Sequence, residues 1–325
     1  MRSGATIGID EAALVALARS GDEQAFERLL DPHRRAIHAH CYRMLGSLHD
    51  ADDALQETSL RAWRALDRFE SRAPFRAWLY SIATNVCLRA IERRARAPEV
   101  LDPEEAEIAA YLQPYPDRLL PTDATVEERE SMSLAVVSVM QLLPARQRAV
   151  LILREVLGWS AAEVAELLGD TVASVNSALQ RARATLEKER RAGRFARDHM
   201  PVSAEAEQAV VGRFMAAWDA VDVDGLVAVL ADDAVMTMPP EPMRLVGIAA
   251  IGEFFRTVPA AGALERIRLV PTRANGQPAV AAYMDGEAYG VMVFALEGES
   301  VASITGFAGY PELFPELGLP LELEP

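Results

Sequence analysis

Five prolines, Pro98, Pro103, Pro114, Pro116 and Pro121, fall in a stretch that carries eight acids and one base between residues 98 and 127. Proline fixes φ and has no N–H to donate, so neither a helix nor an inner strand runs through such a segment. The spacing predicts an extended acidic linker over 97–126 that divides the chain into separately folding parts. At 325 residues there is length for two or three cores.

On both sides of the linker, apolar residues recur at intervals of three and four, predicting all-α domains over 11–96 and 127–192. A mixed pattern follows, predicting an α+β domain over 202–325 with helices packed on a curved sheet. Ala206, Val210, Phe214 and Trp218 form one helical stripe, Asp222 suits the N-cap of a second helix, and Gly247 to Val258 reads as a third. Four strands are expected near Leu264 to Thr272, Gln277 to Met284, Ala288 to Leu296 and Ser300 to Phe307. Asn275-Gly276 and Asp285-Gly286 are the hairpin turns, and Asp232-Asp233 reads as a turn that ends a helix.

The net charge of −15 argues against a DNA binder until it is divided along the chain. Residues 1–97 and 128–200 each carry +2, whereas residues 201–325 carry −12. A polyanion is attracted to the two helical blocks and repelled by the rest. Two cysteines, Cys41 and Cys87, are too few for a disulfide framework. No basic leader runs into an apolar signal core, and no apolar run reaches the ~20 residues of a membrane span. A cytoplasmic protein with no membrane partner is expected. His33, His38, His40 and Cys41 fit no metal-ligand spacing, so neither a metal nor a cofactor is expected.

In the first block, residues 50–69 (DADDALQETSLRAWRALDRF) place Leu55, Ala62, Leu66 and Phe69 on a core face. Asp53, Glu57, Arg61, Arg64 and Arg68 occupy another face, with acid near the N-terminus and base near the C-terminus, as on a solvated helix. Residues 75–94 (FRAWLYSIATNVCLRAIERR) bury Phe75, Leu79, Ile82 and Val86 and carry Trp78, Asn85, Arg89 and Arg93 beside them. An aromatic ring, an amide and guanidiniums on one rim can stack on an unpaired base, bond its edge and hold phosphate. Singly, each of these residue types is more often structural, and Trp78 especially suits a core.

These two strings in succession resemble region two of the extracytoplasmic-function sigma factors of bacterial RNA polymerase. The resemblance implies that Asp53, Gln56 and Glu57 dock on the clamp helices of the polymerase β′ subunit. It implies too that the loop Asp67 to Pro74, with Arg68 and Arg72, and the rim around Asn85 capture a flipped base of the minus-ten promoter element. Unstacking a base costs a few kcal/mol that a pocket can return.

In the second block, residues 143–186 carry a helix-turn-helix pattern. Ser160 and Glu163 form a capping box, Gly169 supplies the turn, and Thr171 caps the second helix. Val175, Leu179, Ala182 and Leu186 face inward. Ala173, Ser177, Gln180 and Arg181 face outward, with Ser174 and Asn176 at the edges. Short polar side chains suit base edges in the major groove, and Arg181, Arg183 and Lys188 suit phosphates. The block resembles sigma region four, which reads the minus-thirty-five element and meets the polymerase β subunit. It departs at Asn176 and Ala178, where many relatives carry basic residues.

Tyr111 to Pro121 (YLQPYPDRLLP) is an aromatic and apolar island in the linker, read either as a packing contact or as a latch. The chain resembles the subset of these sigma factors fused to a C-terminal SnoaL-like domain, for which that domain is implied to contact this motif and to regulate the factor in cis. Such domains are cones with a central pocket, which Trp218, Met236, Met238, Phe255, Tyr283, Met292 and Phe294 would line around an unknown small ligand. Asp232, Asp233 and Asp285 are acids, and Tyr283 a donor, for isomerase-type chemistry, but the turn readings leave the domain without catalytic residues. Two rival readings are a ligand-responsive DNA-binding regulator independent of polymerase, and a SnoaL-like enzyme with helical targeting domains.

Overall fold

The computed structural model describes residues 11–69, 74–95, 111–191 and 202–323. The first block is five helices: α1 (Glu11–Arg19), α2 (Glu23–Leu30), α3 (Arg34–Leu45), α4 (Leu48–Ala65) and α5 (Phe75–Arg94). Gly46 ends α3 in the left-handed conformation at φ 73°, and Ser47 then caps α4 by accepting from Asp50 N–H at 3.2 Å. Pro74 precedes α5, whose fixed φ and missing donor suit a helix start.

The second block is a succession of separate helices. It breaks into α6 (Val126–Glu130), α7 (Leu134–Gln141), α8 (Ala145–Leu151), α9 (Ala161–Leu168) and α10 (Val172–Arg191). A π-helical turn, Ile152–Val156, extends α8. Capping explains two of the starts: Thr125 with Glu128, and Ser160 with Glu163, each form a reciprocal box. Gly169 at φ 63° closes α9, and Thr171 Oγ1 accepts from Ser174 N–H at the start of α10.

The third part holds α11 (Ala204–Asp219), α12 (Val223–Ala228), α13 (Ile248–Thr257), α14 (Leu313–Glu316) and a six-stranded sheet. The strands are β1 (Leu230–Met238), β2 (Glu241–Val246), β3 (Ile267–Ala274), β4 (Gln277–Met284), β5 (Glu287–Glu297) and β6 (Ser300–Ala308). Their order is β2-β1-β6-β5-β4-β3, antiparallel except for the parallel β1/β6 pair. The fold is thus helical blocks followed by an α+β domain. Two strands exceed the four expected. Asp232 and Asp233 lie within β1, exposed where its register with β6 shifts, and do not form a turn. Their acidity hid a strand whose apolar alternation begins only at Ala234.

The two faces of this sheet belong to different cores. Val280, Ala282, Met292, Phe294, Leu296 and Ile304 face α11, α12 and α13. The alternate residues Ala279, Ala281, Tyr283, Val291, Val293 and Phe307 join one continuous core with both helical blocks, Tyr115 of the linker and Phe314 of α14. The period of two along each strand makes this division.

Candidate nucleic-acid interface

Helices α4 and α5 frame a groove of about 680 Å³. Asp53, Gln56, Glu57, Leu60 and Arg61 line its α4 wall, and Val86, Arg89, Glu92 and Arg93 its α5 wall. Acids expected to meet polymerase and guanidiniums expected to meet DNA therefore share one depression. Asp53 and Gln56 are exposed, and Glu57 accepts from Arg61 Nε at 2.6 Å one turn on.

Along α5, Asn85, Arg89 and Arg93 are exposed, and the Asn85 amide donates to Ser81 O at 2.9 Å. Trp78 is half-buried between Phe69 and Phe75, with ring centroids 5.1 and 5.5 Å away. One part of the indole is core and the remainder is open for stacking. Arg68 is exposed on the short turn that follows α4. Arg72 and the middle of the Asp67 to Pro74 loop lie outside the described residues.

On α10, Asn176, Ser177, Gln180, Arg181 and Arg183 are exposed and Ser174 is at the margin. Val175, Leu179 and Ala182 are buried against α8 and α9. The Arg183 Nε donates to Glu155 Oε1 at 2.6 Å, so this guanidinium is already engaged beside the π-helical turn. Ala178 is buried, so a long basic side chain there would have to displace the packing under the helix.

The seven residues expected to line a pocket fall in three different places. Trp218, Met236, Phe255, Met292 and Phe294 are buried in the helix-facing core. Phe214 sits among Trp218, Phe255 and Phe294 with ring centroids 4.9 to 6.1 Å away, so these rings pack on one another. Met238 instead lines a shallow surface depression of about 300 Å³ with Pro239, Pro240 and Tyr310. Tyr283 belongs to the opposite face of the sheet, where its hydroxyl donates to Pro320 O at 2.9 Å. Alternation along β4 separates it from Ala282, its neighbour on the other side. Asp285 is exposed and pairs with Arg266, which holds its carboxyl below the usual range.

Sequence reasoning missed the junction between domains. Region α3 meets α7 and α8 through Arg148, whose guanidinium donates to Met44 O, Gln141 Oε1 and, at 2.8 Å, Gln141 O. Gln141 Nε2 returns a bond to Arg43 O at 3.1 Å, and Arg43 donates to Ser131 Oγ and Glu128 O, both at 2.8 Å. Burial lowers the Arg148 pKa to about 10.

The linker residues Leu112 to Pro116 are buried, and the Tyr115 ring is fully so. Burying such a ring stabilises the docked linker by on the order of 2 kcal/mol. Tyr115 Oη lies 2.8 Å from His38 Nδ1, and His38 Nε2 lies 3.0 Å from Asp52 Oδ1. His40 instead pairs with Thr84. Among the described residues no group of three His, Cys, Asp or Glu is arranged to hold a metal. No helix there is long and apolar enough to cross a membrane.

Asn275, in the β3–β4 turn at φ 60°, is 1% exposed and binds all three parts of the chain. Its N–H donates to Tyr115 O and its Oδ1 accepts from Tyr115 N–H, both at 2.7 Å. Its Nδ2 donates to the Tyr42 hydroxyl at 2.9 Å and to Met132 O at 2.7 Å. The Asn-Gly doublet gave the turn, but no pattern in the sequence marks a turn asparagine as buried.

Comparison with known proteins finds three families in succession along the chain. Residues 29–97 match the sigma-70 region 2 family, residues 133–186 sigma-70 region 4, and residues 211–304 the SnoaL-like domain. The ECF RNA polymerase sigma factor SigG of Mycobacterium tuberculosis is 41% identical, over 94% of this chain and 88% of its own length. The ECF RNA polymerase sigma factor SigW of Bacillus subtilis is 34% identical over 53% of this chain and 92% of its own. The crystal structure of the M. tuberculosis extracytoplasmic function sigma factor SigJ superposes with a TM-score of 0.58 at 24% identity. That match spans 89% of this chain and 97% of SigJ, so the two share a fold.

Proposed function

Given that this chain belongs to the extracytoplasmic-function sigma factors, which direct RNA polymerase to promoters, we propose that its SnoaL-like domain restrains it in cis by clamping region two against region four. The observation that carries this reading is that the promoter-facing side chains are open while the two regions that bear them are packed together. Asn85, Arg89, Arg93, Ser177, Gln180 and Arg181 are uncovered, so the domain does not mask them. It acts on their separation. The minus-ten and minus-thirty-five elements lie roughly two turns of duplex apart, at ~34 Å per turn, whereas α5 and α8 are in direct contact.

Asp53, Gln56 and Glu57 dock on the β′ clamp helices, with the acids giving orientation and encounter rate more than raw affinity. Trp78, Asn85, Arg89 and Arg93, with Arg68 and Arg72, hold the unpaired minus-ten strand by stacking and charge. Ser174, Asn176, Ser177 and Gln180 read the minus-thirty-five base edges, and Arg181 and Arg183 hold its phosphates. Arg183 must first leave Glu155. Region four also meets the β subunit, in the cytoplasm where polymerase works.

The third domain acts as a clamp and not as an enzyme: aromatic rings pack on one another in its helix-facing core, Asp285 is tied to Arg266, and Tyr283 to Pro320. The acidity of residues 201–325, at −12, also repels DNA from the closed form.

The test is promoter-specific transcription by core polymerase on a pool of templates, comparing the full chain with a truncation ending near Arg197. A shared pair of upstream elements and a more active truncation are expected. Failure of both forms to bind core polymerase would overturn the polymerase docking. Equal activity of the two forms would overturn the clamp.

A further inference from the structure

The N-terminus of α4 is capped twice. Ser47 is the local cap, but the acceptor that gathers most of the first-turn donors comes from the linker. Gln113 Oε1 accepts from Leu48 N–H at 2.9 Å, from His49 N–H at 3.2 Å and from Ser47 Oγ at 3.0 Å. The main chain of Gln113 is tied as firmly, its N–H donating to Gly46 O at 3.0 Å and its carbonyl accepting from the Tyr42 hydroxyl at 2.7 Å. A carboxamide oxygen brought from 65 positions away thus meets orphan donors that a helix otherwise satisfies locally or with water.

Two residues further along the linker stands Tyr115, whose backbone N–H and C=O are both held by Asn275. Pro116 then bridges Ala274, and Asp117 Oδ1 accepts from Gly276 N–H at 2.7 Å. One turn of the third domain therefore grips three successive linker residues. The grip lies on the same short extended segment that carries Gln113.

We infer that Gln113 is a positioning residue coupling the third domain to the polymerase-facing helix: the β3–β4 turn holds the linker at Tyr115, and the linker seats the Gln113 carboxamide on the N-terminus of α4. Asp53, the first residue expected to meet polymerase, stands one turn beyond that cap. The functional consequence rests on the proposed docking of α4 on polymerase, while the coupling itself does not.

The experiment is amide hydrogen exchange of the full chain, read over residues 47–52, for the wild type and for Gln113→Ala, Asn275→Ala and Gln113→Glu. Gln113→Ala is expected to speed exchange there by about five- to tenfold, the effect of losing one helix cap. Asn275→Ala does the same from the other domain, with α3 and α5 protected as before. Gln113→Glu keeps an acceptor oxygen at the site and leaves exchange near the wild-type rate, whereas Gln113→Met keeps the volume without the acceptor and speeds exchange as Gln113→Ala does, which a purely steric role would not give. Asp117→Ala loosens the same turn from the surface and keeps the test readable if Asn275→Ala does not fold. Wild-type exchange at 47–52 in both Asn275→Ala and Asp117→Ala overturns the coupling, as does unchanged exchange in Gln113→Ala. A parallel titration with core polymerase separates the two readings. If Glu57→Lys leaves affinity unchanged while exchange responds as expected, the docking fails and the coupling stands.

Discussion

Tyr42 and Asn275 lie 233 positions apart and share a buried hydrogen bond of 2.9 Å, with the hydroxyl passing its own proton to Gln113 O at 2.7 Å. Removing that hydroxyl leaves a donor and an acceptor without partners in the interior. Tyr42→Phe is therefore expected to lower the stability of the full chain by about 1 to 3 kcal/mol. It should also raise its promoter-specific transcription toward that of the truncation. Thermal denaturation and multiple-round transcription check the two halves separately.

Reversing charge on the α4 wall of the groove should act on polymerase alone. Glu57→Lys removes an acid that pairs with Arg61 at the surface, a pair of about 0.5 kcal/mol in stability at most. Core polymerase affinity should fall about tenfold or more, with a steeper loss at low salt. A fluorescence titration at two ionic strengths reads both, and a melting curve shows that the fold is kept.

Arg181 and Gln180 stand side by side on the exposed face of α10 but should fail differently. Arg181→Ala is expected to weaken holoenzyme binding to all promoters and to reduce the slope of log K against log salt by about 1. Gln180→Ala should leave that slope alone and relax discrimination at one base pair by about 1 to 3 kcal/mol. Binding across a salt series, on templates mutated in the minus-thirty-five element, distinguishes them.

His40 makes stability depend on pH. Burial, helped by the charge of Arg43, lowers its pKa to about 3 in the folded chain, and burial lowers that of His33 as well. The unfolded chain takes up a proton near pH 6.5 and the folded one does not. Stability is thus complete above pH 6.5 and falls by up to about 1.4 kcal/mol per pH unit as pH drops toward 3. Denaturant unfolding at pH 7 and pH 5 should show the loss in the wild type, and His40→Asn should reduce it.

The aromatic packing of the third domain is also testable. Phe294→Ala removes the ring closest to Phe214 and should cost about 3 to 5 kcal/mol while leaving a cavity. Small apolar molecules that do not stabilise the wild type should then raise the melting temperature of this variant.

Local rules carried the reading of sequence into fold wherever local physics decides. The Ser160 and Glu163 box, Gly169, Thr171 and the Asn275-Gly276 turn are fixed by neighbours three or four residues away, and each was legible. The strand β1 was not, because Asp232 and Asp233 are tolerated at an exposed irregularity that only pairing with β6 reveals. The candidate site divides in the same way. The rim residues of α5 and α10 follow from helical period. The roles of Gln113, Arg148 and Asn275 depend on partners about 65 to 230 residues distant, and the side of the sheet on which Tyr283 lies relative to Met292 and Phe294 is set by strand register.

The sheet that serves two cores gives the closed form a thermal character. Its docked face, Ala279, Ala281, Tyr283, Val291, Val293 and Phe307, is almost entirely hydrocarbon and ring. Separating it from the helical blocks exposes apolar surface, so opening carries a positive heat-capacity change. The grip of the third domain then weakens on cooling as well as on strong heating, and is tightest at an intermediate temperature. Under the proposed clamp, the fraction of the factor open for transcription therefore varies with temperature and passes through a minimum.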